Sequence, residues 1–158
     1  MSENKATQSK QETPKPNLAL KKLEVLVGKW KLKGRTLNAK EDNITGELSG
    51  EWILDGFFLQ LTGGIRFQDF EVKSIEIIGY DAKKKIFPAT VFGNSDGNPL
   101  QYQWNVEGNT LTHSAAAGAT YKGTISDDGK TISGGWRPDE GVKSNDGNTY
   151  DMTMDRAE

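Results

Sequence analysis

From Trp30 onward the chain alternates apolar and polar residues with a period of two. That period belongs to strands with one buried face. Ten strands are predicted, at 29–36, 45–54, 57–62, 71–80, 86–92, 101–107, 110–115, 120–126, 131–137 and 149–155. Short turns rich in glycine, aspartate and asparagine separate most of them. This punctuation predicts an antiparallel sandwich or barrel rather than a parallel sheet. Ahead of the strands, Asn17 is placed to cap a short helix across 18–27, with Leu20, Leu23, Val27 and Leu26 toward one side. A helix that short needs a surface to pack on, and one end of a barrel supplies it. Residues 1–16 are polar and read as a disordered tail, which leaves 17–158 as a single domain.

Two hairpins can be registered from their turns. Gly108-Asn109 sets Val106 opposite Leu111, Trp104 opposite His113 and Tyr102 opposite Ala115. Asp128-Gly129 sets Ile125 opposite Ile132, Gly123 opposite Gly134 and Tyr121 opposite Trp136. Extending the alternation puts all four tryptophans on one inner face and Lys31, Lys33, Arg35, Glu47, Glu51, Lys122 and Arg137 on the outer one. The strand at 71–80 reads with Ile75 and Ile77 inside, and Ser74, Glu76, Ile78 and Tyr80 form the alternative inner set. Large aromatics and small residues share the inner face, which suits either a ligand-sized cavity or a filled core.

The motif Leu23-x-x-Leu26-x-Gly28-x-Trp30 resembles the opening of calycin-superfamily barrels, among them lipocalins, fatty-acid-binding proteins and nitrobindins. Trp52-x-x-x-Gly56-Phe57-Phe58-Leu59, followed by Ile78-Gly79-Tyr80-Asp81, resembles more closely an uncharacterised bacterial lipocalin-like family, a domain of unknown function. The likeness runs from about Leu18 to Met154. It implies an all-β, antiparallel up-and-down barrel of about 8–10 strands, closed at one end by a short N-terminal helix. It implies no established activity. Nitrobindin-like barrels hold haem through a histidine near the C-terminus, but the last strand here carries none. No cofactor is therefore expected, with haem through His113 as the alternative.

Composition narrows the chemistry. The chain has no cysteine, which removes disulfides, thiolate metal sites and cysteine nucleophiles. It has one histidine, so a multi-histidine metal site is impossible, and no nucleophile-elbow motif accompanies it. The net charge of −2, with acids and bases interspersed, gives no basic face for nucleic acid. No apolar run is long enough for a spanning helix, and the N-terminus lacks a signal-like apolar segment. The expected location is cytoplasmic for a native N-terminus, and periplasmic or secreted if a signal peptide has been removed.

The leading functional expectation is non-enzymatic binding of a small, mostly apolar or amphipathic molecule inside the barrel. Trp52, Tyr102, Trp104, His113, Tyr121 and Trp136 are the expected walls and polar handles, and Arg66 is a candidate partner for a carboxylate at the mouth. An isomerase or cyclase on the same barrel is the second expectation. It requires a buried carboxylate or histidine, and Glu76 is the acid placed to supply one. A filled-core interaction module is the third. No catalytic or metal-binding residue is assigned.

Overall fold

The computed structural model describes residues 12–157. Most of the tail expected at 1–16 lies outside the described residues; those from 12 to 16 form neither helix nor strand. Leu18–Leu26 is a 3₁₀ helix, capped at its start by the Asn17 side chain, which accepts from the Ala19 N–H at 2.8 Å. Residues three apart share one edge of a 3₁₀ helix. Leu20, Leu23 and Leu26 have that spacing, and all three are buried. Val27, expected on the packed side, is half-buried at the helix end instead.

Ten strands follow: β1 (Gly28–Thr36), β2 (Ile44–Ile53), β3 (Phe58–Phe67), β4 (Phe70–Ile78), β5 (Phe87–Gly93), β6 (Leu100–Glu107), β7 (Thr110–Ala115), β8 (Ala119–Ile125), β9 (Thr131–Pro138) and β10 (Tyr150–Arg156). Each pairs antiparallel with its chain neighbours, and β10 pairs with β1 to close the barrel. Closure leaves no free sheet edge. Both hairpin registers expected from the turns are present, Trp104 with His113 and Tyr121 with Trp136 among them.

β4 takes the alternative phase. Ile75 is 41% exposed, whereas Glu76 is 7% and Ile78 is 0% exposed. The reason is register. A two-residue turn at Gln68-Asp69 sets Phe67 opposite Phe70, and the ladder then puts Leu61 opposite Glu76 and Leu59 opposite Ile78. Leu59 and Leu61 are buried, so their partners share the inner face. Two isoleucines stay outside because the whole ladder outweighs their burial.

One end is sealed by the helix. Trp30 is 1% exposed, its indole N–H donates to Leu26 O at 3.2 Å, and the Arg156 guanidinium lies 4.3 Å above its ring. Arg156 also donates to the carbonyls of Val25, Val27 and Gly129, tying the helix and the β8–β9 turn to the last strand. Gly28 sits at φ +111°, and a Cβ there would lie 2.9 Å from the Arg156 guanidinium. The Gly-x-Trp spacing is thus the room this arginine needs. The two motifs of the likeness also meet in space: Phe58 packs over Gly79, where a Cβ would lie 2.8 Å from its ring. Asp81 accepts from the backbone N–H groups of Lys83 and Lys84, an Asx turn.

Trp30→Ala is expected to lower unfolding free energy by about 3–5 kcal/mol, the usual cost of emptying a buried tryptophan site. Urea denaturation measures it. A loss below about 1 kcal/mol would show that the sealed end does not hold the barrel together.

Candidate functional site

Inward residues at the helix end, such as Leu59, Ile78, Val106, Leu111, Ile125 and Ile132, are buried. Toward the opposite end, Val91, Tyr102, His113, Ala115, Trp136 and Tyr150 are only half-buried although they face inward. Space therefore remains inside the open end. A pocket of about 300 Å³ opens there, lined by Tyr102, Trp136, Tyr150, Ala115 and Ala119, by the β7–β8 turn at Ala117 and Gly118, and by Asn145, Gly147 and Asn148. The last three belong to the connection between β9 and β10, which its own asparagines brace. Asn145 Oδ1 accepts from Gly147 N at 2.8 Å, and Asn148 Nδ2 donates to Lys143 O at 2.9 Å.

The aromatic residues under this pocket form one cross-strand row. Trp104 pairs with His113, His113 with Tyr121, Tyr121 with Trp136, and Trp136 with Tyr150. His113 stacks on Trp104 at 3.7 Å between centroids and 16° between planes, and it touches Tyr102 and Trp136 at 4.8 and 5.3 Å. Beside it stands the Glu76 carboxylate. Its Oε2 lies 2.7 Å from the Trp104 indole nitrogen, which donates to it, and 2.9 Å from His113 Nε2. Trp104 reaches β4 across β5, where Ala89 lies between Phe87, the partner of Trp104, and Val91, the partner of Glu76. A buried carboxylate is costly without such donors. Here two meet one oxygen.

The tyrosines differ in what their hydroxyls do. Tyr121 donates to Met152 O at 2.9 Å and is 5% exposed, a structural tie between β8 and β10. Tyr102 and Tyr150 line the pocket with hydroxyls that have no hydrogen-bond partner among the described residues. Burial raises the pKa of both, helped by the Glu76 carboxylate at Tyr102 and by Tyr102 at Tyr150. Burial raises Tyr121 as well, with Asp151 and Tyr150 adding to it.

Five of the seven expected residues thus come together: Tyr102, Trp104, His113, Tyr121 and Trp136. Trp52 does not join them. It sits at the helix end, where its indole N–H donates to Glu24 Oε2 at 2.8 Å. Arg66 does not join them either. It projects outward from β3, bonds to Glu71 across the β3–β4 pair at 3.2 Å, and lines a separate outer trough of about 1060 Å³ on β1–β5. That trough exists because small residues, Ser49, Thr62 and Gly64, occupy outward positions between longer flanking side chains. It is larger than the mouth pocket but lies on the outside of the sheet, away from the His113–Glu76 pair. Tyr150 and the asparagine loop were missed as site residues. The signal for Tyr150 was its inward phase beside Trp136; the loop gives none in the strand pattern. Among the described residues no three acid or histidine side chains cluster as a metal site, and no helix is long and apolar enough to cross a membrane.

The chain belongs to a family described as a protein of unknown function, DUF1579, whose model matches residues 15–158. No curated protein matches it.

The raised tyrosine pKa values set a direction for alkaline stability. The folded protein keeps protons that the unfolded chain releases near pH 10. The stabilisation from this source is intact below that pH and is lost as pH rises above it. Phenolate absorbance from Tyr102, Tyr121 and Tyr150 is expected to emerge only above pH 10 and together with unfolding. Reversible ionisation of Tyr102, Tyr121 and Tyr150 near pH 10, with the fold retained, would contradict their burial.

Proposed function

We propose that this barrel is a calycin-like container that binds a small, mostly apolar molecule at its open end. The observation that carries the reading is the mouth pocket of about 300 Å³, walled by Tyr102, Trp136 and Tyr150. Its volume lies at the lower end of the range for small-molecule sites, and an aromatic wall with a few polar groups is their usual lining. Flat ring faces suit a planar or short-chain ligand. The unpartnered hydroxyls of Tyr102 and Tyr150 supply the polar handles that orient it. Half-buried inner residues at this end favour a container over a filled-core module. Haem is a poorer match, because a mouth pocket of about 300 Å³ is small for a porphyrin.

A second reading, an isomerase or cyclase on the same barrel, has one observation in its favour. Glu76 lies inside, bonded to His113.

Indole fluorescence, titrated with octanoate, 2-naphthol and haem, tests the binding reading. Saturable quenching by octanoate or 2-naphthol is expected. Ala115→Phe places a ring in the pocket and is expected to weaken that binding at least about tenfold, or about 1.4 kcal/mol. Saturable binding that Ala115→Phe leaves unchanged, or no response to any of the three, would contradict the site.

A further inference from the structure

We propose that His113 and Glu76 form a proton-transfer site, with His113 Nδ1 as the atom that takes a proton from a small planar carbon acid. The proposal rests on the mouth pocket as the place where that molecule binds. Three observations lead to it.

The first is the tautomer. His113 Nε2 faces a carboxylate oxygen at 2.9 Å, so in the neutral ring the proton belongs on Nε2. The lone pair is then on Nδ1. A carboxylate that holds an imidazole in this way also stabilises the imidazolium that forms when Nδ1 accepts a proton.

The second is access. His113 Nδ1 and Glu76 Oε1 have no partner among the described residues, yet no buried side-chain nitrogen or oxygen there lacks one. Both atoms therefore border open space. His113 belongs to the inward face of β7 and keeps 13% of its side chain exposed, so that space is the lumen. It lies one layer below the lining of the mouth pocket, packed directly against Tyr102 and Trp136, which wall it.

The third is preorganisation. The imidazole is stacked on Trp104, and Trp104 is itself tied to the same Glu76 oxygen. Ring plane, tautomer and position are held before any ligand arrives, so little reorganisation is left for the reaction. Glu76 is a positioning residue here; His113 is the group that meets the substrate.

The chemistry is redox-neutral. A C–H bond next to an electron-withdrawing group breaks, its proton goes to Nδ1, and its electron pair enters a new double bond. The charge collects on an oxygen, for which the neutral hydroxyls of Tyr102 and Tyr150 are donors. Return of the proton to another carbon completes an isomerisation; departure of the charged oxygen completes an elimination.

The test uses 5-nitrobenzisoxazole, a flat bicyclic carbon acid. Transfer of its ring C–H proton to Nδ1 breaks the N–O bond, forms a nitrile and gives a coloured cyano-nitrophenolate; the proton then passes from His113 to solvent, so phenolate and proton together balance the substrate. Saturable turnover above buffer is expected. His113→Gln should lower kcat by about 100-fold or more, the usual contribution of a general base. Glu76→Gln should lower kcat at least about tenfold with KM within about twofold, a split that a purely structural carboxylate does not produce. A ¹⁵N spectrum of the single imidazole needs no variant: a protonated Nε2 and a bare Nδ1 are expected in the neutral ring. Saturable turnover that survives His113→Gln overturns the proposal, as does a proton found on Nδ1 instead of Nε2. Fluorescence quenching by the probe without turnover overturns it and leaves the pocket standing. Neither quenching nor turnover counts against both.

Discussion

Closure of the sheet is the constraint on which the rest depends. Once β10 pairs with β1, every strand has one inner face, and its phase is set by both neighbours at once. No strand can slip by one residue without turning its neighbours' partners outward. Glu76 shows the force of this rule. Judged alone, β4 would bury Ile75 and Ile77 and expose the acid. Held between β3 and β5, it buries the acid and exposes Ile75. The cost of an enclosed carboxylate is then offset by donors that the same closure brings within reach, Trp104 and His113.

The two ends of the barrel divide the work. At one, Trp30, Arg156 and the leucines of the 3₁₀ helix form a packed stopper. At the other, Tyr102, Trp136 and Tyr150 wall a small pocket, and the directly paired row from Trp104 to Tyr150 runs beneath it. Most of the fully buried side chains lie toward the sealed end. The open end can therefore keep unpartnered tyrosine hydroxyls and half-buried aromatics.

Much of the fold was legible in the chain because a period of two is a local signal, and because two hairpins carried turns that fix their own registers. The closing pair, β1 with β10, is the longest-range strand pairing, and the resemblance rather than the pattern implied it. The phase of β4 stays open in its own sequence, because both alternations offer an apolar inner set and the strand predicted before it ends at Thr62. Carried on to Phe67, the alternation would have reached the tight turn at Gln68-Asp69 and put Glu76 inside. Arg66 lies away from the mouth for the same reason, since it falls on the outer phase of the longer strand. Trp52 keeps the inner face but lies at the helix end, away from the mouth: periodicity states which side a residue faces, not which neighbours it meets along the barrel axis. Arg156 carries no periodic signal at all. Its role emerges only where the last strand passes Gly28 and Trp30.

The central claim is that the open mouth, and not the larger outer trough, is where this protein meets a ligand. Amide chemical-shift mapping of the full chain with 2-naphthol decides between them most directly. The account predicts shifts concentrated at Tyr102, Ala115, Ala117, Gly118, Trp136, Asn148 and Tyr150. Shifts concentrated instead at Lys31, Gly64, Lys73 and Phe92, along the outer face, would contradict it.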